Sequence, residues 1–173
     1  DPGATINMIR KRPTFDLQAA FNASYGSWNT QRYEADVSSP FTQDGKVRGR
    51  VFGYQQTGDS YLDRYELEKN GIGAVLEADV TDTTLLTAGY TETNHKPNGV
   101  NWGSNPLINT EGEQLSYSRS YNYSPDWTYW NNNIKSYFAE LEQKLAGDWT
   151  AKLTYDEKRT KRDSKLLFLS GKP

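Results

Sequence analysis

Phe15-Asp16-Leu17-Gln18-Ala19-Ala20-Phe21-Asn22-Ala23-Ser24-Tyr25 is the stretch on which the reading of this chain turns. Every odd position in it is apolar or aromatic, and Asp16, Gln18, Asn22 and Ser24 lie between them. A period of two puts the two sets on opposite faces of an extended strand. After Gly26-Ser27-Trp28-Asn29 the pattern resumes from Gln31 to Ser38, with Tyr33, Ala35 and Val37 against Arg32, Glu34, Asp36 and Ser38. Two such runs around a short polar turn predict an antiparallel hairpin.

The same grammar continues. Gln43-Asp44-Gly45-Lys46 carries an Asp-Gly turn signal, and a third strand is predicted from Val47 to about Gln56. A polar connection, Thr57 to Asn70, then leads to Ile72, Ala74, Leu76, Ala78 and Val80 on one face of a fourth strand. Thr81-Asp82-Thr83 turns the chain into a fifth, carried by Leu86, Ala88 and Tyr90. Thr93 to Asn133 has no sustained period and reads as one large loop. Ile134 to Leu145 could be helix or strand locally, since Ala139 to Leu145 are good helix formers, but its place in a run of hairpins favours strand. After Ala146-Gly147-Asp148, a seventh strand sets Trp149, Ala151, Leu153 and Tyr155 against Thr150, Lys152, Thr154 and Asp156.

Composition bounds the environment. With 35% hydrophobic residues and a mean hydropathy of -0.88, no window approaches the roughly 18 apolar residues of a spanning helix. A transmembrane barrel remains open, because its strands show only one face to lipid. Twelve Tyr and five Trp suit the aromatic girdles of such a barrel. A formal charge of -2 gives no case for nucleic acid, which calls for a clustered basic surface. There is no Cys and one His, so thiolate metal sites, disulfides and a histidine cluster are excluded. The predicted turns at 43–46, 81–84 and 146–148 are short and share one end of the sheet, whereas the connections at 57–70 and 93–133 are long and share the other. Outer-membrane barrels show that asymmetry.

The opening Gly3-Ala4-Thr5-Ile6-Asn7-Met8-Ile9-Arg10-Lys11-Arg12-Pro13 resembles the junction between plug and barrel in TonB-dependent ferric-siderophore receptors. Ser24-Tyr25-Gly26-Ser27-Trp28-Asn29, Asp44 to Arg50, Asp59 to Tyr65, Asn101 to Leu107 and Ser124 to Trp130 resemble the ferric-coprogen and ferric-pyoverdine receptors in the same order. The resemblance implies an all-β fold: an antiparallel transmembrane β-barrel segment, about seven strands of a larger plugged barrel, with the last plug strand at the N-terminus. Residues 1–13 would end the plug and 14–173 would form the first barrel strands and loops, so the chain is expected to be a fragment. It further implies a receptor in the bacterial outer membrane that takes up a hydroxamate or pyoverdine-class ferric siderophore. The partners implied are the chelate, outer-membrane lipid and, through a segment before residue 1, the TonB-ExbB-ExbD complex. No cofactor is expected, because iron arrives inside its chelator.

The large loop supplies the candidate site. Trp102, Trp127 and Trp130 lie in it with Tyr117, Tyr121, Tyr123 and Tyr129, and aromatic side chains on a loop offer rigid contact area with a polar handle. Packing of the loop on itself, or an outer girdle, is the plainer alternative for any one of them. In the pyoverdine type a Trp at each of two places lines the siderophore pocket. By position these are Trp102 and Trp130, with Trp127 competing for the second place and Tyr117 and Tyr129 beside them. Arg10-Lys11-Arg12 is expected to form salt bridges at the plug-barrel interface, with Glu34, Asp36, Glu77 and Asp79 as partners. Glu77 and Asp79 share a face, but nothing supplies a nucleophile, so no catalytic residues are assigned and no enzyme is expected. His95, beside Lys96-Pro97, reads as a solvated loop residue. A passive porin would share the barrel pattern without explaining the opening stretch. A soluble β-rich adhesin or carbohydrate-binding domain would need a second sheet to cover Phe15, Leu17, Phe21, Ile72, Leu76 and Val80.

Overall fold

The computed structural model describes residues 10–168. Seven strands follow one another: β1 Gln18–Tyr25, β2 Gln31–Pro40, β3 Val47–Asp59, β4 Glu66–Thr81, β5 Thr84–Asn98, β6 Tyr129–Lys144 and β7 Thr150–Lys165. They pair antiparallel in chain order, as one meander. No α-helix occurs among the described residues, and the segment around Ala139 to Lys144 is strand. The predicted last plug strand, at residues 3–9, lies outside the described residues.

The strands run further than the sequence period does. β3 continues to Asp59 and β4 starts at Glu66, so the expected connection of Thr57 to Asn70 shrinks to residues 60–65. β5 reaches Asn98 and β6 begins at Tyr129, which confines the large loop to residues 99–128. His95 therefore sits inside β5, opposite Lys69 and Asn132, not in a loop. These extensions are polar on both faces, such as Asn70, Asn94 and Asn133 in one register row. With no apolar face there is no alternation to read, yet backbone pairing still satisfies the amides.

One face is apolar through the middle of the sheet. Leu17, Phe21, Val37, Val51, Ile72, Leu76, Val80, Leu86, Leu141 and Leu153 all project from it and are exposed in the chain by itself. Nothing among the described residues covers this face, and lipid is the medium that would. Its upper edge is marked by tyrosines, which also give the strand tilt. Tyr25 ends β1, and Tyr33 opposes Ala23. Tyr90 and Tyr137 oppose each other, with ring centroids 5.0 Å apart, in a row that runs through Ala74, Val51 and Val37 to Ala19. Tyr155 is in the row of Ala139, Ala88, Leu76, Gly49 and Ser39, one step below the first β1 pair. The tyrosines thus descend eight residues over six strand steps, about 26 Å along the strands against about 28 Å across them. A level aromatic belt on these strands requires a tilt of about 43°, within the range of transmembrane barrels.

The opposite, inner face carries the charges and a set of rings laid over glycines. Phe52 faces Gly73, Tyr54 faces Gly71 and Phe138 faces Gly89 across their strand pairs. A Cβ on Gly71 would come within 2.6 Å of the Tyr54 ring, and those on Gly73 and Gly89 would strike Phe52 and Phe138. Glycine at these positions lets each ring lie flat on the barrel wall.

Candidate functional site

Two places on the inner face are organised. At the lower end, by the short connections, residues 10–14 lie across the sheet. Arg10 pairs with Asp156, Lys11 with Asp36 at 2.7 Å, and Arg12 with Glu77. Arg10 also stands 4.5 Å over the Phe138 ring and Lys11 5.5 Å over Phe52, so two of the glycine-seated rings complete sockets for the incoming cations. Arg50 holds both Asp36 oxygens at 2.8 Å and donates to the Arg12 carbonyl. Arg48 joins Glu77 (2.7 Å) to Asp79 (2.6 Å) while only 5% exposed. Of the four expected partners of the basic run, Asp36 and Glu77 take the role directly. Glu34 is occupied by Arg32 and Asp79 by Arg48, and Asp156 joins from β7. Glu77 and Asp79 both hold the Arg48 guanidinium.

At the upper end the geometry is aromatic. Trp130 lies on the inner face near the start of β6, and Trp102, from the long loop, folds onto it with centroids 5.1 Å apart and planes at 45°. Arg162, from the inner face of β7, stands 5.3 Å from the Trp130 ring. Trp102 remains 43% exposed, so the pair presents a face upward rather than closing a core.

The other sequence candidates lie apart. Tyr129 precedes Trp130 in the strand and so points to the outer face, where its hydroxyl is 3.5 Å from Asp163. Trp127 packs against Lys165 at 5.1 Å, and Lys165 is the register partner of Tyr129, which places Trp127 on that outer side as well. Tyr117 stacks on Tyr121 at 4.7 Å and donates to the Pro106 carbonyl at 3.0 Å, within the loop's outer half. The structure therefore brings Trp102 and Trp130 together and leaves Trp127, Tyr117 and Tyr129 outside the pair. Arg162 and Tyr123, whose hydroxyl donates to the Trp102 carbonyl at 2.6 Å, were not legible as neighbours. Arg162 could have been found by parity along β7 once the register with β6 was known. Among the described residues, no group of three or more His, Cys, Asp or Glu is placed to hold a metal ion.

No protein-family model matches the chain. The ferric-pyoverdine 358 receptor of Pseudomonas putida is 41% identical over 170 residues, 98% of this chain and 20% of that protein. The structure of the pyoverdine outer membrane receptor FpvA from Pseudomonas aeruginosa PAO1 bound to pyoverdine superposes with a TM-score of 0.87 at 37% identity, over 94% of this chain and 24% of that one. The alcaligin outer membrane receptor FauA from Bordetella pertussis superposes with a TM-score of 0.71 at 25% identity, over 91% of this chain and 22% of that one. The chain spans about a fifth of the length of the curated relatives it matches. Similarity from end to end, and strands that superpose on solved receptor barrels, make this chain a member of the ferric-pyoverdine receptor family, a seven-stranded segment of an outer-membrane receptor barrel.

Proposed function

We propose that the whole protein binds a ferric siderophore of the pyoverdine class at its extracellular mouth and carries it to the periplasm in a TonB-dependent step. The observation that carries this reading is the Trp102–Trp130 pair on the inner face, at the end of the sheet away from the basic run. Two indoles packed together give a rigid surface that loses little entropy on binding. Relatives that match nearly all of the chain are receptors for ferric pyoverdines, and one solved relative is bound to ferripyoverdine. The iron is cargo: the chelator already fills its coordination sphere, and the receptor recognises the shape of the complex. The protein needs no metal or cofactor of its own and performs no catalysis.

Residues 1–13 are the end of the plug and residues 14–173 the start of the barrel in this reading. The ladder of Arg10, Lys11 and Arg12 on barrel carboxylates supports that division. The energy-transducing TonB-ExbB-ExbD complex would engage a segment before residue 1.

The test is equilibrium binding of the whole receptor in detergent to ferric pyoverdines, ferric hydroxamates and ferric catecholates. Saturable binding of one class at micromolar or lower Kd is the expected result. No binding to any of them, together with leakage of small solutes through bilayers, would identify a passive channel instead.

A further inference from the structure

We infer that the tripeptide Asn122-Tyr123-Ser124 is a positioning element that sets Trp102 on Trp130 before any ligand arrives; the inference rests on the siderophore-binding reading of that pair. Its three residues grip residues 99–102 in succession. The Asn122 amide donates to the carbonyls of Gly99 (2.9 Å) and Asp63 (2.7 Å), and its oxygen accepts the Ser124 amide (2.9 Å). The Ser124 hydroxyl reaches the Val100 carbonyl (2.7 Å) and the Asn101 side chain (2.5 Å). The Tyr123 hydroxyl holds the carbonyl of Trp102 itself at 2.6 Å.

The grip is buried and backed. Asn122 and Ser124 are 2% and 1% exposed, and Thr128, which closes the loop through its carbonyl to the Gly99 amide at 2.9 Å, has no exposed surface. Behind the tripeptide, the Arg64 guanidinium donates to the carbonyls of Asn122 and Ser124, and the Asp63 amide donates to Ser120 at 2.8 Å. The connection 60–65 is thereby fastened to the base of the long loop. Gly99 takes φ +64, and a Cβ there would run into the Arg64 carbonyl; only glycine fits where the two connections touch. Buried polar groups with every hydrogen bond made fix a single conformation, and a lost partner leaves an expensive orphan. Asn122, Ser124 and Thr128 are buried, so their effect on a ligand would pass through Trp102.

A binding site populated only part of the time weakens apparent affinity by that fraction. The experiment uses the whole receptor in detergent. The coupled circular-dichroism signal of the tryptophan pair is defined as the part of the spectrum lost in Trp130→Ala, and ferric-pyoverdine binding is followed alongside. Tyr123→Phe, which removes one oxygen, is expected to abolish most of that signal and weaken binding by about 5-fold, the worth of one hydrogen bond; Asn122→Ala is expected to weaken it about 10-fold or more. Asn109→Ala loosens the 107–115 hairpin at the loop tip, where Asn109 accepts the Glu111 and Glu113 amides. It is expected to leave both readouts unchanged. An intact signal in both Tyr123→Phe and Asn122→Ala overturns the inference. Loss of the signal with undiminished binding supports the positioning element and counts instead against ligand contact by the pair.

Discussion

The lower and upper ends of the inner face are fastened by different chemistry. The lower end is ionic: three consecutive cations meet carboxylates from β7, β2 and β4, and Arg48 and Arg50 back Glu77 and Asp36 from the sheet. The upper end is neutral at its core: amides, hydroxyls and carbonyls of the 60–65 and 99–128 connections interlock around Asn122. The half-exposed Arg10 and Lys11 make charge pairs that can be rebuilt after movement. Neutral hydrogen bonds in a dry junction hold one geometry and give little tolerance. On the proposed division into plug and barrel, the difference suits the lower end to engagement by a separate piece of the fold and the upper end to presenting a fixed surface.

The largest effect should come from Glu77→Leu. Glu77 is 2% exposed and receives both Arg12 and Arg48; without it Arg48 keeps Asp79 as its one carboxylate beside the Gly45 carbonyl, and a buried charge stripped of a partner costs about 3–5 kcal/mol. Denaturant unfolding of the whole receptor checks this, and a loss below about 1 kcal/mol would mean that water already solvates the lower cluster.

Next in size is the glycine-seated ring. Gly89→Val drives a side chain into Phe138, dislodging the ring that Arg10 covers, at a cost of about 1–3 kcal/mol. Adding Phe138→Ala should recover part of that loss, since it removes the clash along with the ring. Failure to recover would locate the strain in the backbone.

A smaller effect separates the two ends by salt. Arg10 and Asp156 are each about half exposed, at 52% and 54%, so their pairing is screened in 1 M salt and contributes about 1 kcal/mol at most. Susceptibility of the 10–13 segment to protease should rise with salt, while the tryptophan-pair signal should stay constant. The smallest concerns the short turn at 41–46. The Asp44 carboxyl is held below its ordinary value by the Thr42 hydroxyl and then by the Lys46 amide. A lowered carboxylate stabilises the folded turn fully above about pH 4, the unfolded value, and the contribution fades as pH falls through the lower folded value. Protection of the Lys46 amide, its exchange taken relative to the intrinsic rate at each pH, should therefore fall only in acid, and Asp44→Asn should remove that fall.

The outer face was legible because lipid enforces it. Residues 17–25 and 72–80 alternate where hydrocarbon would lie, and their large side chains predicted outward point there; Phe15, predicted in the same row, precedes β1 and instead turns its ring under the inner-face Arg48 guanidinium, 4.2 Å away. Above the tyrosine belt that pressure ends. Glu66 to Asn70 and Thr91 to Asn98 form long polar ladders, which a reading based on apolar period assigns to loops. The lower site was half legible, as Asp36 and Glu77 could be named from parity, whereas Asp156 needed the seventh strand in place. The upper pair rested on resemblance, because Trp102 is in a segment without period and only its hydrogen bonds place it. Tyr129 and Trp130 are the instructive neighbours: one residue of register sends one outward and the other inward, and the start of β6 could not be read among Asn131, Asn132 and Asn133.

The most direct measurement is a titration of the whole receptor and its Trp130→Ala and Trp102→Ala variants with ferric pyoverdine, in one detergent at one ionic strength. If the pair is the extracellular contact surface, each variant should bind at least about 10-fold more weakly, the truncation cost of a buried aromatic anchor, with the barrel's unfolding transition unmoved. Equal affinities in all three proteins would contradict the account and leave the tryptophans as packing for the loop.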